Sequence, residues 1–138
     1  MDPTSYISEI EKWVNRNTPG TTLTEVEIRR GISSLFFCLF NYWAAKQHDT
    51  GVLSGSNSDE YKVSEFSKCM ITGDASTEYV SLLEYRVAVD HFMLNPASVI
   101  VRDSAVKSRF SRQSQQISVD YTLLKKALSF AKVLANSL

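Results

Sequence analysis

Histidine, cysteine, proline and glycine are all scarce in this 138-residue chain, at two, two, three and five residues. Cys38 and Cys69 lie apart in apolar or helix-like segments, with no CxxC and no Cys/His cluster. That argues against a zinc site and for packing roles in a reduced setting. The two histidines, His48 and His91, have no carboxylates arranged at ligand spacing around them, so no metal or cofactor is expected. Few glycines and prolines favour helices over a turn-rich β fold. Long apolar runs are missing as well: the longest, residues 35–40, is far short of the roughly 20 residues of a membrane span. The first thirty residues carry Asp2, Glu9 and Glu11 where a secretory signal would be apolar. A soluble, cytoplasmic protein with no membrane partner is expected.

Charge of either sign is not in excess, at 15 basic and 15 acidic residues, so total charge gives no case for a polyanionic partner. Its distribution is uneven. Residues 49–90 hold eight acids against three bases, whereas residues 102–138 hold seven bases against two acids. The basic end, with Arg102, Lys107, Arg109 and Arg112, could face phosphates; solvated helix faces of opposite sign would look the same.

Composition and length predict one mostly helical domain over residues 1–138, long enough to bury a core unaided. A first helix is expected over residues 3–15, with Asp2 as N-cap and Pro3 at the first helical position. A second helix is expected to begin near Thr22 or Thr24, where Thr24 and Glu27 form a capping box, and to reach about residue 47. Its Ile28, Ile32, Leu35, Phe36, Leu39, Phe40 and Trp43 recur at helical steps. Phe37, Cys38 and Tyr42 extend the apolar surface round most of its circumference, so this helix is central or joins a subunit interface. His48 falls at its exit, a place where a cation suits the helix dipole. Residues 48–59 read as a loop and 61–71 as a helix. A further helix runs from Asp74 or Ser76 to Asn95-Pro96. Residues 97–104 fit either a short helix or an extended piece, 102–112 read as a helix, and the final helix spans about 118–136. There is no internal repeat.

The best chemistry lies at residues 84–92, where Arg86 and His91 stand five apart, with Tyr85 and Asp90 as supporting neighbours. On a straight helix positions 86 and 91 are about 140° and roughly 7.5 Å apart, so they do not share a face. The length of arginine and the nearby helix end would let both reach one groove. A plain alternative is a surface pair between Arg86 and Asp90, worth about 0.3–0.5 kcal/mol. In the functional reading the guanidinium binds a phosphate and stabilises charge on pentacoordinate phosphorus. The imidazole moves a proton to or from a ribose hydroxyl near neutral pH. Those two groups suffice for metal-independent RNA cleavage. Walker A, GxGxxG, HExxH and GxSxG motifs are all missing.

Three ordered segments resemble the HEPN superfamily of small helical domains. Arg29-Arg30-Gly31-Ile32-Ser33-Ser34-Leu35-Phe36-Phe37-Cys38-Leu39-Phe40-Asn41 is similar to its arginine-led, double-aromatic helix. Tyr85-Arg86-Val87-Ala88-Val89-Asp90-His91 matches the R-x4-6-H motif, and Ser118-Val119-Asp120-Tyr121 is similar to the Ala-Asp-Tyr that opens the last helix. The resemblance covers roughly residues 25–136. It implies an all-α fold with an antiparallel four-helix-bundle core and one or two extra short helices, usually homodimeric. Many members are metal-independent endoribonucleases acting as toxins or in antiviral defence. By that likeness Arg86 would hold the scissile phosphate of RNA and His91 would act as acid–base in a dimer-interface cleft, with an antitoxin or regulatory protein as a possible partner. Departures are Phe36-Phe37 in place of two tyrosines, Asn41 where histidine is common, and Gln116 where arginine is frequent, with Arg112 one turn earlier. Met93 stands where one antitoxin-controlled subgroup has a modifiable tyrosine. Against the nuclease stands a catalytically inactive module of the same fold that binds a nucleotide or a partner protein.

Overall fold

Helix starts follow the capping chemistry of the sequence. Asp2 accepts from the Thr4 amide at 3.1 Å and from the Ser5 hydroxyl at 3.0 Å. The Thr4 bond, more than any other, holds its carboxyl below the ordinary aspartate range. Thr24 Oγ1 accepts from the Glu27 amide at 3.2 Å, and Glu27 Oε1 accepts in return from the Thr24 amide and hydroxyl. Asp120 takes an extended backbone and accepts from the Leu123 amide at 2.9 Å.

The computed structural model describes residues 2–16, 23–49, 63–91, 98–102 and 114–138, with backbone alone at 91, 98–102 and 114–116. In chain order these form α1 (Pro3–Arg16), α2 (Glu25–Asp49), α3 (Val63–Ile71), α4 (Ser76–His91), β1 (Ser98–Arg102), β2 (Ser114–Ser118) and α5 (Tyr121–Ser137). None of the described helices is long and apolar enough to cross a membrane.

Side-chain contacts fix the helix directions. Arg29 reaches Val89 while Phe36 meets Tyr79, so α2 and α4 are antiparallel. Gly31 faces Leu124 and Lys46 reaches Leu138, so α2 and α5 are parallel. Val14 pairs with Tyr121 and Glu11 with Lys132, so α1 opposes α5. Helices α2 and α5 pack on each other, and each also touches both α1 and α4. The antiparallel four-helix core expected from the sequence is therefore present, with α3 as an extra short helix on α4 and α2. Ile32, Leu35, Phe36 and Leu39 of α2 are buried against Leu124, Ala127, Ala131 and Leu134 of α5 and Tyr79, Leu82 and Val89 of α4.

Within the stretch 97–104 that the sequence left open, residues 98–102 are extended. β1 pairs antiparallel with β2, in the register Ser98 to Ser118 and Arg102 to Ser114. The reading of Arg102 as helical is thus corrected: Val99, Ile100 and Val101 form a β-branched run that suits a strand. Ser118 likewise belongs to β2, and α5 starts three residues later, after its Asp120 cap. Lys107, Arg109 and Arg112, with the rest of the 103–113 connection, lie outside the described residues.

Gly31 faces Leu124 where the two central helices pack. A Cβ there would stand 3.0 Å from Leu124 Cδ1 and 3.5 Å from Trp13 Cζ3. Gly31→Val is expected to destabilise the fold by about 1–3 kcal/mol through overpacking, read as a lower midpoint in urea denaturation with an unchanged slope.

Candidate active site

Arg86 enters the α2–α4 seam from the middle of α4. Its Cζ lies 4.8 Å from the Phe37 ring centroid and 5.5 Å from that of Phe36. The double phenylalanine of α2 therefore supports the flat guanidinium, and the two rings meet edge to face at 5.5 Å. Such cation–π contacts are worth about 0.5–2 kcal/mol each, depending on desolvation. Asp90 Oδ2 lies 3.0 Å from Arg86 Nε, with side-chain exposures of 29% and 19%. These values make the pair half-buried, not the solvated surface pair of the plain reading. Arg86 Nε is buried yet makes no aligned hydrogen bond, so attraction to Asp90 is coulombic, without a directed N–H···O bond. No described residue accepts a hydrogen bond from the two terminal nitrogens of Arg86.

Asp90 is itself tied to α2, since Ser33 Oγ donates to Asp90 Oδ2 at 3.2 Å. One turn earlier on α2, Arg29 Nη1 donates to the Val89 carbonyl at 2.9 Å, and its Nε and Nη2 both lie 2.8 Å from Glu25 Oε1. Val26, Arg30 and Ser34 join Arg29, Ser33, Val89 and Asp90 around a recess of about 300 Å³. The recess presents an exposed guanidinium and two serine hydroxyls beside the Asp90 carboxylate.

His91 is the last residue of α4, so its backbone stands one residue beyond Asp90; its side chain lies outside the described structure. Tyr85 turns to another part of the bundle. Its ring packs on Phe130 of α5 at 5.9 Å, and it lines a separate recess with Ile117, Asp120 and Lys126. The structure thus brings Arg86 and Asp90 together, carries His91 on the same final turn and places Tyr85 elsewhere. The side chain of Arg102 also lies outside the described structure.

Other nucleophiles near the core are quiet at neutral pH. Burial pushes the Cys38 thiol up to about 12 and raises the Tyr79 phenol, against the opposing pull of Ser67 and the Arg86 charge. Burial raises Tyr85 too, helped by the charge of Glu84. Among the described residues no group of three or more His, Cys, Asp or Glu is placed to hold a metal ion.

Sequence reasoning gave Glu25 no role, and took Arg29 and Ser33 only as parts of a motif. A signal was present: Glu25, Arg29 and Ser33 follow one another at four-residue steps, beside the apolar stripe of Ile28, Ile32 and Leu35. A charge beside a buried stripe requires a partner. Comparison of the chain with family models, with curated proteins and with solved structures finds no match.

The Cys38 shift has a definite sign. The folded chain keeps this proton up to about pH 12, whereas an unfolded thiol loses it near its ordinary value of 9.0. The resulting stability is full below pH 9 and lost as pH rises towards 12. Cys38→Ala is expected to flatten the decline in urea midpoint between pH 9 and 11. In the native protein at pH 8 a thiol reagent should label exposed Cys69 well before Cys38, as mass spectrometry of the digested protein would show.

Proposed function

We propose that this chain is a metal-independent endoribonuclease of HEPN type, with Arg86 and His91 as its reacting pair. The observation that carries this reading is the state of Arg86. Its guanidinium is pinned by Phe36, Phe37 and Asp90, while no described residue accepts from its terminal nitrogens. A pinned fork with unused donors suits a phosphate, because its orientation is fixed before the substrate arrives.

In the reaction the ribose 2′-oxygen attacks the adjacent phosphorus, forming a new P–O bond as the bond to the 5′-oxygen breaks. His91 accepts the 2′-hydroxyl proton or delivers one to the departing oxygen. Arg86 stabilises the charge on the pentacoordinate phosphorus. The products are a 2′,3′-cyclic phosphate and a 5′-hydroxyl, with no net redox change and no need of a metal. Positions 86 and 91 lie about 140° apart on α4, which favours a homodimer in which two copies of α4 together complete each site. The basic residues Arg102, Lys107, Arg109 and Arg112 would then track the RNA backbone. The proposed setting is a toxin or antiviral defence system, with an antitoxin or regulatory protein as partner.

A second reading, a catalytically inactive module binding a nucleotide or partner protein, draws on the hold of Asp90 on Arg86. The two part on one assay. Wild-type protein in EDTA is expected to cut single-stranded RNA and leave cyclic-phosphate ends. His91→Ala and Arg86→Ala should each slow cutting by about 10²–10⁴-fold. Equal cutting by wild type and His91→Ala, or no cutting at all, would favour the binding module.

A further inference from the structure

We infer that Arg29 is a positioning residue: from α2 it fixes the last turn of α4, and thereby the place of His91. The inference rests on the reading of Arg86 and His91 as the reacting pair.

Arg29 is a charged residue in the core, only 5% exposed, and a cation so buried must be matched by acceptors. Among the described residues its fork meets Glu25 and Val89. One edge, Nε and Nη2, is held by Glu25 Oε1 at 2.8 Å on both nitrogens. The other nitrogen, Nη1, reaches across to the Val89 carbonyl, 60 residues further along the chain, at 2.9 Å.

That carbonyl is two residues from the end of α4. It therefore lies in the last described turn of α4, next to Asp90 and His91. Arg29 supplies both a donor and a positive charge there, a tie provided by a different helix. Ser33, one turn along α2, grips the next residue of α4, Asp90. Two consecutive residues of the final turn are thus tied to two consecutive turns of α2, and the residue that follows them is His91. Loosening the first tie displaces the backbone that carries the imidazole, while the Arg86 guanidinium stays seated on its phenylalanines.

Lysine at position 29 would keep the charge but, as a single ammonium on a flexible stem, could not hold Glu25 and Val89 in one rigid plane. The test compares full-length wild type, Arg29→Lys and a control, Val14→Ala. Val14 is a buried residue of α1, a helix that packs on α5 and α2. Arg29→Lys is expected to lower kcat for RNA cleavage by about ten- to a hundredfold, with KM within about twofold because Arg86 still binds the phosphate. Amide exchange at residues 88–91 should quicken relative to residues 79–83. Val14→Ala should lose stability but keep its kcat.

Wild-type kcat in Arg29→Lys, or an equal kcat loss in Val14→Ala, would overturn the positioning role. If wild-type protein cuts no RNA, the nuclease reading fails separately and exchange alone decides the rest. Selective quickening at 88–91 then upholds the tie from Arg29, and unchanged or uniform exchange rejects it.

Discussion

Helix α2 carries apolar side chains around most of its circumference, and the rest of the bundle can be understood as the cover that this surface requires. Burying one stripe of a helix takes a single partner; burying nearly all of it takes several. Helices α1, α4 and α5 close on it from different sides, and α3 adds Phe66 to the cluster of Phe36, Phe40, Trp43 and Tyr79. At Gly31 the missing side chain makes room for Leu124 of α5 and the Trp13 ring, which pack directly on the α2 backbone. The motif residues of α4 inherit their surroundings from this arrangement, because the helix that must be covered is also the wall they face.

The wall is unevenly built along its length. Towards its middle it offers the rings of Phe36 and Phe37; towards its start it offers Arg29 and Ser33. The rings support a cation without using its hydrogen-bond donors. The polar residues do the opposite, taking up acceptors at the end of α4. Phenylalanine at positions 36 and 37 suits this division, since a ring without a hydroxyl leaves the guanidinium donors untouched. Asp90 sits at the boundary, attracted to Arg86 on one side and bonded to Ser33 on the other. It is both the residue that could make Arg86 merely structural and the one that holds Arg86 aimed.

Much of the bundle was legible in the sequence. Apolar residues at three- and four-residue steps located the five described helices, and Thr24, one of two starts the sequence offered for α2, caps it together with Glu27. What was misread had physical causes. Residues 98–102 have too short an apolar run for periodicity to decide, and their strand exists only because residues 114–118, beyond an intervening connection, pair with it. The Asp-Tyr pair was recognised as a motif, but its work was invisible: Asp120 caps α5, and the Tyr121 hydroxyl bonds the Val14 carbonyl near the end of α1. The role of Arg29 depends on a carbonyl 60 residues away, which no local pattern encodes. Arg86 was singled out by its spacing to His91 and by the family resemblance, yet its burial and ring contacts required the packing of α2 to be known.

The β ribbon is joined to the bundle with almost no slack. Its second strand ends at Ser118, and between that residue and the Asp120 cap of α5 stands Val119 alone, 8% exposed and packed into the core. Its first strand rests on α4. The ribbon is therefore fastened to the bundle through both strands: β2 runs through one buried valine into the first turn of α5, and β1 lies against the helix that carries Arg86.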